Sequence, residues 1–363
     1  MPEIHMDAPA NVIVDAHLDV AYNAVTLQRD LGRPVDEIRE HERHHSTTDP
    51  GAGTCTVSWP ALRDGRVAII GGSLFVQPAR KSRPVPTATY RTAEEAHSLG
   101  AQQLDYYHRM SDERDDVALV LDTGDLDRTL ASWDTEDPAV GVFVVMEGAD
   151  PIREPDEVGW WIERGVRGIA LAWASGSRYA GGNANPGPLT DEGEVLIRLM
   201  ADHNLLLDVS HLWEDALYRA LDRYPGPIVA THANPRAFVD MPRALADDVI
   251  RQIGEREGVV GVVAYNRMLS TGWRPGDPRV PLNKLVEAID HICQVTGHAG
   301  AVGLGSDLDG GFGREAVPEG LDSVADLPKI GALLGERGYS PSDTAAILSG
   351  NWLRVMRRVL EAF

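Results

Sequence analysis

A (β/α)8 barrel of the TIM type, formed as one domain over residues 1–363 with a long insertion after the first strand, is the fold this sequence predicts. Three observations lead there. Eight short apolar segments rich in Val, Ile, Leu and Ala recur along the chain, most of them closing on a polar residue or glycine; runs this brief and continuous suit parallel strands buried on both faces. Helical patterns lie between them. Eight βα repeats favour a closed barrel over an open doubly wound sheet, and one core is an ordinary solution for a barrel of this length.

The strands are read, in order, as "VIVDAHLD" from Val12, "VAIIGGSLFV" from Val67, "VGVFVVMEG" from Val140, "RGIALAW" from Arg167, "LLLDVSH" from Leu205, "PIVATHA" from Pro227, "GVVGVVAYN" from Gly258 and "AVGLGSDLDG" from Ala301. A helix is expected over "DEGEVLIRLMADHN", with Thr190 as N-cap and Val195, Leu199 and Met200 on its apolar stripe. Residues 28 to 60, containing "EIREHERHHSTTDPGAG", are polar and Gly-containing; they read as the insertion, able to cover the barrel mouth. "VALVLDTGDLDRTL" from Val117 suggests a ninth, peripheral strand. The tail "SPSDTAAILSGNWLRVMRRVLEAF" reads as two closing helices, with Ser340 and then Ser349 or Gly350 as start signals.

Composition narrows the function. With 34 basic against 55 acidic residues the formal charge is −21, which repels nucleic acid and anionic membrane surfaces. No stretch offers ~18 consecutive apolar residues, and the opening "MPEIHMDAPANVIVDAHLD" lacks the basic start and apolar run of a leader. Cys55 and Cys293, far apart in sequence, are expected to be reduced, and the location to be cytoplasmic.

In a barrel of this kind the reactive side chains gather at the C-terminal ends of the strands. His17, Asp19, Glu147, His211, His232 and Asp307 all fall at such ends. Side chains two apart on a strand share a face, so His17 and Asp19 can both reach into the mouth. Each of these residues, alone, could be held by ordinary hydrogen bonds. Together, three imidazoles and two carboxylates make a two-metal site if Glu147 bridges, and borderline N and O donors suit zinc. Asp307 and its neighbour Asp309, two apart and so expected to share a strand face, lie in a glycine-rich stretch; a carboxylate there could move a proton between water and a leaving group, although a turn-forming role explains Asp309 better.

At these residues the chain resembles the membrane dipeptidase (renal dipeptidase) family of zinc peptidases. The likeness runs through "DAHLD", "GGSLFVQP", "MEGAD", "GPLTDEG", "LLLDVSH", "THANPRA", "MPRALADD", "GSDLDG" and "GNWLRV", in that order. The resemblance implies two Zn2+ ions, one held by His17, Asp19 and Glu147 and a second by Glu147, His211 and His232, with Asp307 as the acid/base. It also implies Arg243 of "MPRALADD" as the clamp for the substrate's terminal carboxylate, with Arg236 the alternative, since a planar guanidinium binds carboxylate bidentately. Tyr265 in "VVAYN" aligns with a substrate-contacting tyrosine.

One position departs from the family. Where it carries a histidine that touches the substrate carbonyl, this chain reads "GIALAWASGSRYAGG" and places Trp173. An indole donates one hydrogen bond and cannot become a cation. Trp173 substitutes in part, or fills space, or Arg178 reaches in as donor, or the substrate differs from a plain dipeptide.

The expected activity is dipeptide hydrolysis, with tolerance of a D-residue on the carboxyl side implied by the resemblance. Two alternatives stand beside it: another metal-dependent barrel hydrolase acting on a cyclic amide, lactone or phosphoester, and a catalytically silent metal-binding homologue. The expected partner is a small-molecule substrate. Helical barrel surfaces often pair, so a homodimer is compatible with the sequence, which does not fix the oligomeric state.

Overall fold

The apolar segments do pair as parallel strands, and in a computed structural model that describes residues 11–44, 52–79 and 89–363 their sheet curls until its edges meet. The barrel strands are β1 (Ile13–Leu18), β2 (Val67–Phe75), β3 (Val140–Glu147), β4 (Val166–Ala170), β5 (Leu206–Asp208), β6 (Ile228–Val229), β7 (Val260–Val262) and β8 (Val302–Leu304). Neighbours run in the order β6-β5-β4-β3-β2-β1-β8-β7. The bridge Ala230↔Val260 joins β6 to β7, with Ala230 N–H donating to Val259 O at 3.0 Å and Gly261 N–H to Ala230 O at 2.8 Å, which completes the ring. Every residue of these eight strands is buried, as expected of a sheet enclosed on both faces.

Register fixes which ends meet. Along β2 and β3 the pairing runs from Ile69↔Gly141 to Phe75↔Glu147, so Glu147 is delivered to the mouth at the end of a long, regular ladder. Val117–Leu119 is the ninth strand, paired parallel to β3 outside the ring path. Gly261 and Gly305 both face the carbonyl of Thr231, and a Cβ on either would overlap that oxygen. Glycine is what lets the backbones close here.

Two helical expectations need correction. The helix after Thr190 spans Asp191–Asp202 and Thr190 accepts from Gly193 N–H as its cap, but it buries Leu196, Ile197 and Met200, leaving Val195 and Leu199 half-buried. Its apolar face is turned one residue along because Leu196 and Ile197 lie nearer the centre of the stripe with Met200. At the C-terminus, Ser340 does cap Pro341–Ala345 and the second helix, Asn351–Leu360, does begin directly after Gly350, but the two are not separate: the chain passes through a π-turn at Ala346–Gly350 into the second helix, which has no side-chain cap.

The insertion contributes helices Val35–His44 and Trp59–Asp64, while residues 45–51 of it lie outside the described residues, as do residues 1–10 of the opening segment. Its return limb is fastened to the mouth. Asp309 accepts from Thr56 N–H at 2.8 Å, Thr56 Oγ1 at 2.8 Å and Val57 N–H at 2.9 Å, with Arg29 Nη1 3.5 Å away. No helix among the described residues is long and apolar enough to cross a membrane.

Candidate metal centre

Strand ends from four parts of the chain meet at the C-terminal mouth. His17 lies on β1 and Asp19 one residue beyond it, Glu147 closes β3, His211 follows β5 by three residues and His232 follows β6 by three. All five are buried. Glu147 turns its two oxygens to different partners: Oε2 lies 3.5 Å from His17 Nε2, whereas Oε1 lies 2.9 Å from His211 Nε2 and 3.2 Å from His232 Nε2. Asp19 Oδ1 is 3.8 Å from His17 Nε2.

Among the described residues, three groups could each hold an ion, their ligand atoms lying within 4.8 Å of one another: His17/Asp19/Glu147, Glu147/His211/His232 and His17/His232/Asp307. The first two share Glu147, one oxygen to each. The residues fit divalent cations on a second count. His17 Nε2 is buried with no hydrogen-bond partner among the described residues, an expensive state for a polar atom that a cation would relieve. Imidazole nitrogen with carboxylate oxygen is the donor set that zinc and similar ions take.

Crowding of charge sets the protonation. Burial alone would lower the His17 imidazole, but Glu147, then Asp19 and Asp307, hold it up at about 10. Burial also raises Asp19 to about 7, with Glu147 adding to it. Glu147 is held well below the carboxylate range despite its burial, by His17 first and then by His211 and His232. His211 falls to about 4 and His232 well below its ordinary value, burial leading in both, followed by Arg243 for His211 and by His17 for His232. Burial, reinforced by Asp19 and Glu147 against the pull of His17, pushes the Asp307 carboxyl well above its usual range.

Asp307 and Asp309 do not share a strand face as the sequence suggested. β8 ends at Leu304, and both aspartates sit beyond it in left-handed backbone, at φ 58° and 64°. That turn sends Asp307 toward the His17/His232 pair and Asp309 away to the insertion. Asn23 Nδ2 ties the two rims together, donating to Asp19 O at 2.8 Å and Asp309 O at 3.1 Å.

Arg243 is buried beside the cluster, where its two terminal nitrogens donate to the carbonyls of Ser210 and His232. Arg236 pairs instead with Glu214 at 3.3 Å on a partly exposed edge. Trp173 flanks His211 with ring centroids 6.1 Å apart and meets Phe75 edge-on at 5.0 Å. Arg178 does not reach in: it pairs with Glu192 at 3.0 Å, with 42% of its side chain exposed. The described ring contacts of Tyr265 are with Phe312, stacked at 4.2 Å, and Trp273 at 6.3 Å.

Several supporting residues escaped the sequence reading. Ser73 on β2 donates to Asp19, and Asn183 Oδ1 lies 2.9 Å from His211 Nδ1. Asn183 belongs to the turn of a small hairpin, Ala180–Gly182 with Asn185–Leu189. Beneath the mouth, Asp15 accepts from Ser306 N–H at 2.8 Å and Asp208 from Thr231 N–H at 3.0 Å, each stapling two adjacent strands. The spacing Asp-x-His in "DAH" was a signal for Asp15; nothing local marks Ser73, Asn183 or Thr231.

A closed parallel barrel with a carboxylate set between imidazoles at its C-terminal mouth is the architecture of a metal-dependent hydrolase. Within that class the chain belongs to the membrane dipeptidase family, peptidase family M19, whose sequence model matches residues 5–362. It is a metallopeptidase that hydrolyses peptide bonds. The chain is 32% identical over 252 residues to an uncharacterised protein encoded in the pqqA 5' region of Klebsiella pneumoniae, covering 67% of this chain and 89% of that one. It is 29% identical over 303 residues to an uncharacterised dipeptidase of Schizosaccharomyces pombe, covering 82% and 71%.

Solved structures share the fold. The M19 metallopeptidase dipeptidase AC superposes with a TM-score of 0.78 at 22% identity, over 96% of this chain and 98% of that one. A metallopeptidase of Rhodobacter sphaeroides, solved with a phosphinate mimic of the dipeptide L-Ala-D-Ala, also gives 0.78 at 21% identity, over 96% and 99%.

Proposed function

We propose that this chain is a binuclear zinc dipeptidase, with one ion held by His17, Asp19 and Glu147 and the other by Glu147, His211 and His232. The observation that carries the reading is the opposed direction of the two Glu147 oxygens, 3.5 Å from His17 Nε2 on one side and 2.9 Å from His211 Nε2 on the other. Divalent ions bound there supply Lewis acidity, polarising a carbonyl and acidifying water.

The chain's own residues do the rest. Asp307, aimed at the His17/His232 side of the cluster, takes a proton from the attacking water and returns it to the departing amine. Arg243 holds the dipeptide's terminal carboxylate: its guanidinium carries five N–H donors, so hydrogens remain after those given to Ser210 and His232 carbonyls. Trp173 forms an apolar wall beside His211 and offers one N–H toward the substrate carbonyl. Tyr265, stacked on Phe312, contacts the substrate.

A D-residue on the carboxyl side is part of the proposal, supported by the L-Ala-D-Ala mimic bound to the Rhodobacter relative. So is a cytoplasmic location, supported by the free thiols of Cys55 and Cys293. The test is hydrolysis of a panel of L,L and L,D dipeptides, beside a lactone and p-nitrophenyl phosphate, with zinc supplied or chelated. Zinc-dependent cleavage of dipeptides is expected; turnover confined to the lactone or phosphoester overturns the assignment of substrate, and no turnover of any of them favours the silent homologue.

A further inference from the structure

Away from Glu147, the inner nitrogens of two of the three imidazoles face a single hydroxyl. His17 and His232 stack with ring centroids 3.6 Å apart and 24° between their planes. Thr231 Oγ1 lies 2.9 Å from His232 Nδ1 and 3.4 Å from His17 Nδ1. The same oxygen donates to Asp208 Oδ2 at 2.5 Å.

Proton counting then decides the orientation of every partner. A threonine hydroxyl has one hydrogen and two lone pairs. Its hydrogen is committed to Asp208, a carboxylate that also accepts from Thr231 N–H at 3.0 Å and Ser210 N–H at 2.9 Å. Ser210 Oγ, 3.3 Å from Thr231 Oγ1, gives its own hydrogen to Asp208 as well. Only lone pairs of Thr231 are left for the histidines, so both rings must carry hydrogen on Nδ1. In a neutral imidazole that leaves Nε2 as the free lone pair, and these are the atoms that face Glu147 at 3.5 and 3.2 Å. The Thr231 backbone is closely packed, its carbonyl facing Gly261 and Gly305, and the hydroxyl itself is held by its bond to Asp208 Oδ2.

We propose that Thr231, oriented by Asp208, is a positioning residue that sets the tautomer of His17 and His232 at once and thereby couples the two cation sites, to which these histidines separately belong. The inference rests on the ligand sets proposed above. A metal-binding histidine commonly gives its other N–H to a fixed acceptor, and loss of such an acceptor lowers metal affinity by about 10–100-fold. What is particular here is one acceptor serving ligands of two sites.

The experiment is a competition titration of the full chain with Zn2+ against a chromogenic chelator, alongside thermal unfolding of the metal-free protein. Thr231→Val keeps the shape and removes the acceptor; it is expected to weaken both zinc sites by about 10–100-fold, with Thr231→Ser restoring both to near the parent. Unchanged affinity, loss at one site alone, or a Thr231→Ser variant as weak as Thr231→Val overturns the inference. If Thr231→Val does not fold, Asp208→Asn decides: its amide can turn a donor on Thr231 Oγ1, so both sites should weaken, and parent-like binding overturns the inference. A parent chain that binds no zinc overturns the ligand assignment itself, an outcome distinct from these.

Discussion

The Nε2 atoms of His211 and His232 lie 3.0 Å apart, and both face the same oxygen of Glu147. Two ring nitrogens and a carboxylate oxygen this close share a single focus, and the other Glu147 oxygen serves a second one at His17. Replacing that carboxylate by an amide puts a donor where one of the two foci needs an acceptor. Glu147→Gln should therefore lower the zinc content measured by elemental analysis from two ions per chain to one or none. Activity should fall by more than ~100-fold, beyond the loss seen for residues that only support ligands. Two tightly held ions in the variant would remove the bridge.

Asp307 has a different expected signature. Its side chain is half-buried and turned toward His17 and His232 by a left-handed backbone step. Asp307→Asn should retain zinc yet lose turnover by about 100–10,000-fold, the range for a general acid/base. Steady-state kinetics with parallel metal analysis checks this, and full activity would take Asp307 out of the reaction.

Trp173 stands 6.1 Å from the His211 ring, centroid to centroid, and Arg178 is occupied by Glu192. Trp173→His should then raise kcat/KM on ordinary dipeptides, by up to the roughly 100–1,000-fold that a missing carbonyl donor costs. A value that stays level or drops across the whole panel shows that the indole is not standing in for an imidazole.

Zinc uptake should release protons. In the folded metal-free chain the His17 imidazole is held at about 10, so at pH 7.5 it carries a proton it must lose before Nε2 can bind a cation; Asp19, raised to about 7, loses a fraction more. Affinity accordingly rises with pH from 6 to 9. Calorimetry in two buffers of different ionisation heat counts the protons; an observed heat identical in both would contradict this protonation pattern.

Asp309 is expected to matter for stability. It accepts from the amides of Thr56 and Val57 and lies 3.5 Å from Arg29, so Asp309→Ala strips buried donors of their acceptor and breaks a buried ion pair. The cost should be about 3–5 kcal/mol, read by denaturant unfolding. A change under about 1 kcal/mol would mean the insertion is held by other contacts.

The residues at strand ends were legible because strand and ligand signals coincide: a β-branched run that stops on His17 and Asp19, or on Glu147, needs no distant information to be noticed. Asp309 was misplaced, since a left-handed turn in "GSDLDGG" cannot be told from an extended pair by residue type, and aspartate tolerates both. The Val195/Leu199 stripe failed for a related reason: helical period gives the width of an apolar face, whereas its centre is set by what packs against it.

Ser73, Asn183 and Thr231 were invisible, because small polar residues are common in every loop and acquire meaning only from a neighbour far along the chain. By itself, then, the sequence determined the alternation of strand and helix and the set of ligand-type side chains at strand ends, both of which follow from short-range periodicity. Closure of the ring through Ala230 and Val260 decided the rest. Only when β1 comes to lie beside β8, and β6 beside β7, do His17 and His232 stack over one hydroxyl, 214 residues of chain separating Thr231 from His17.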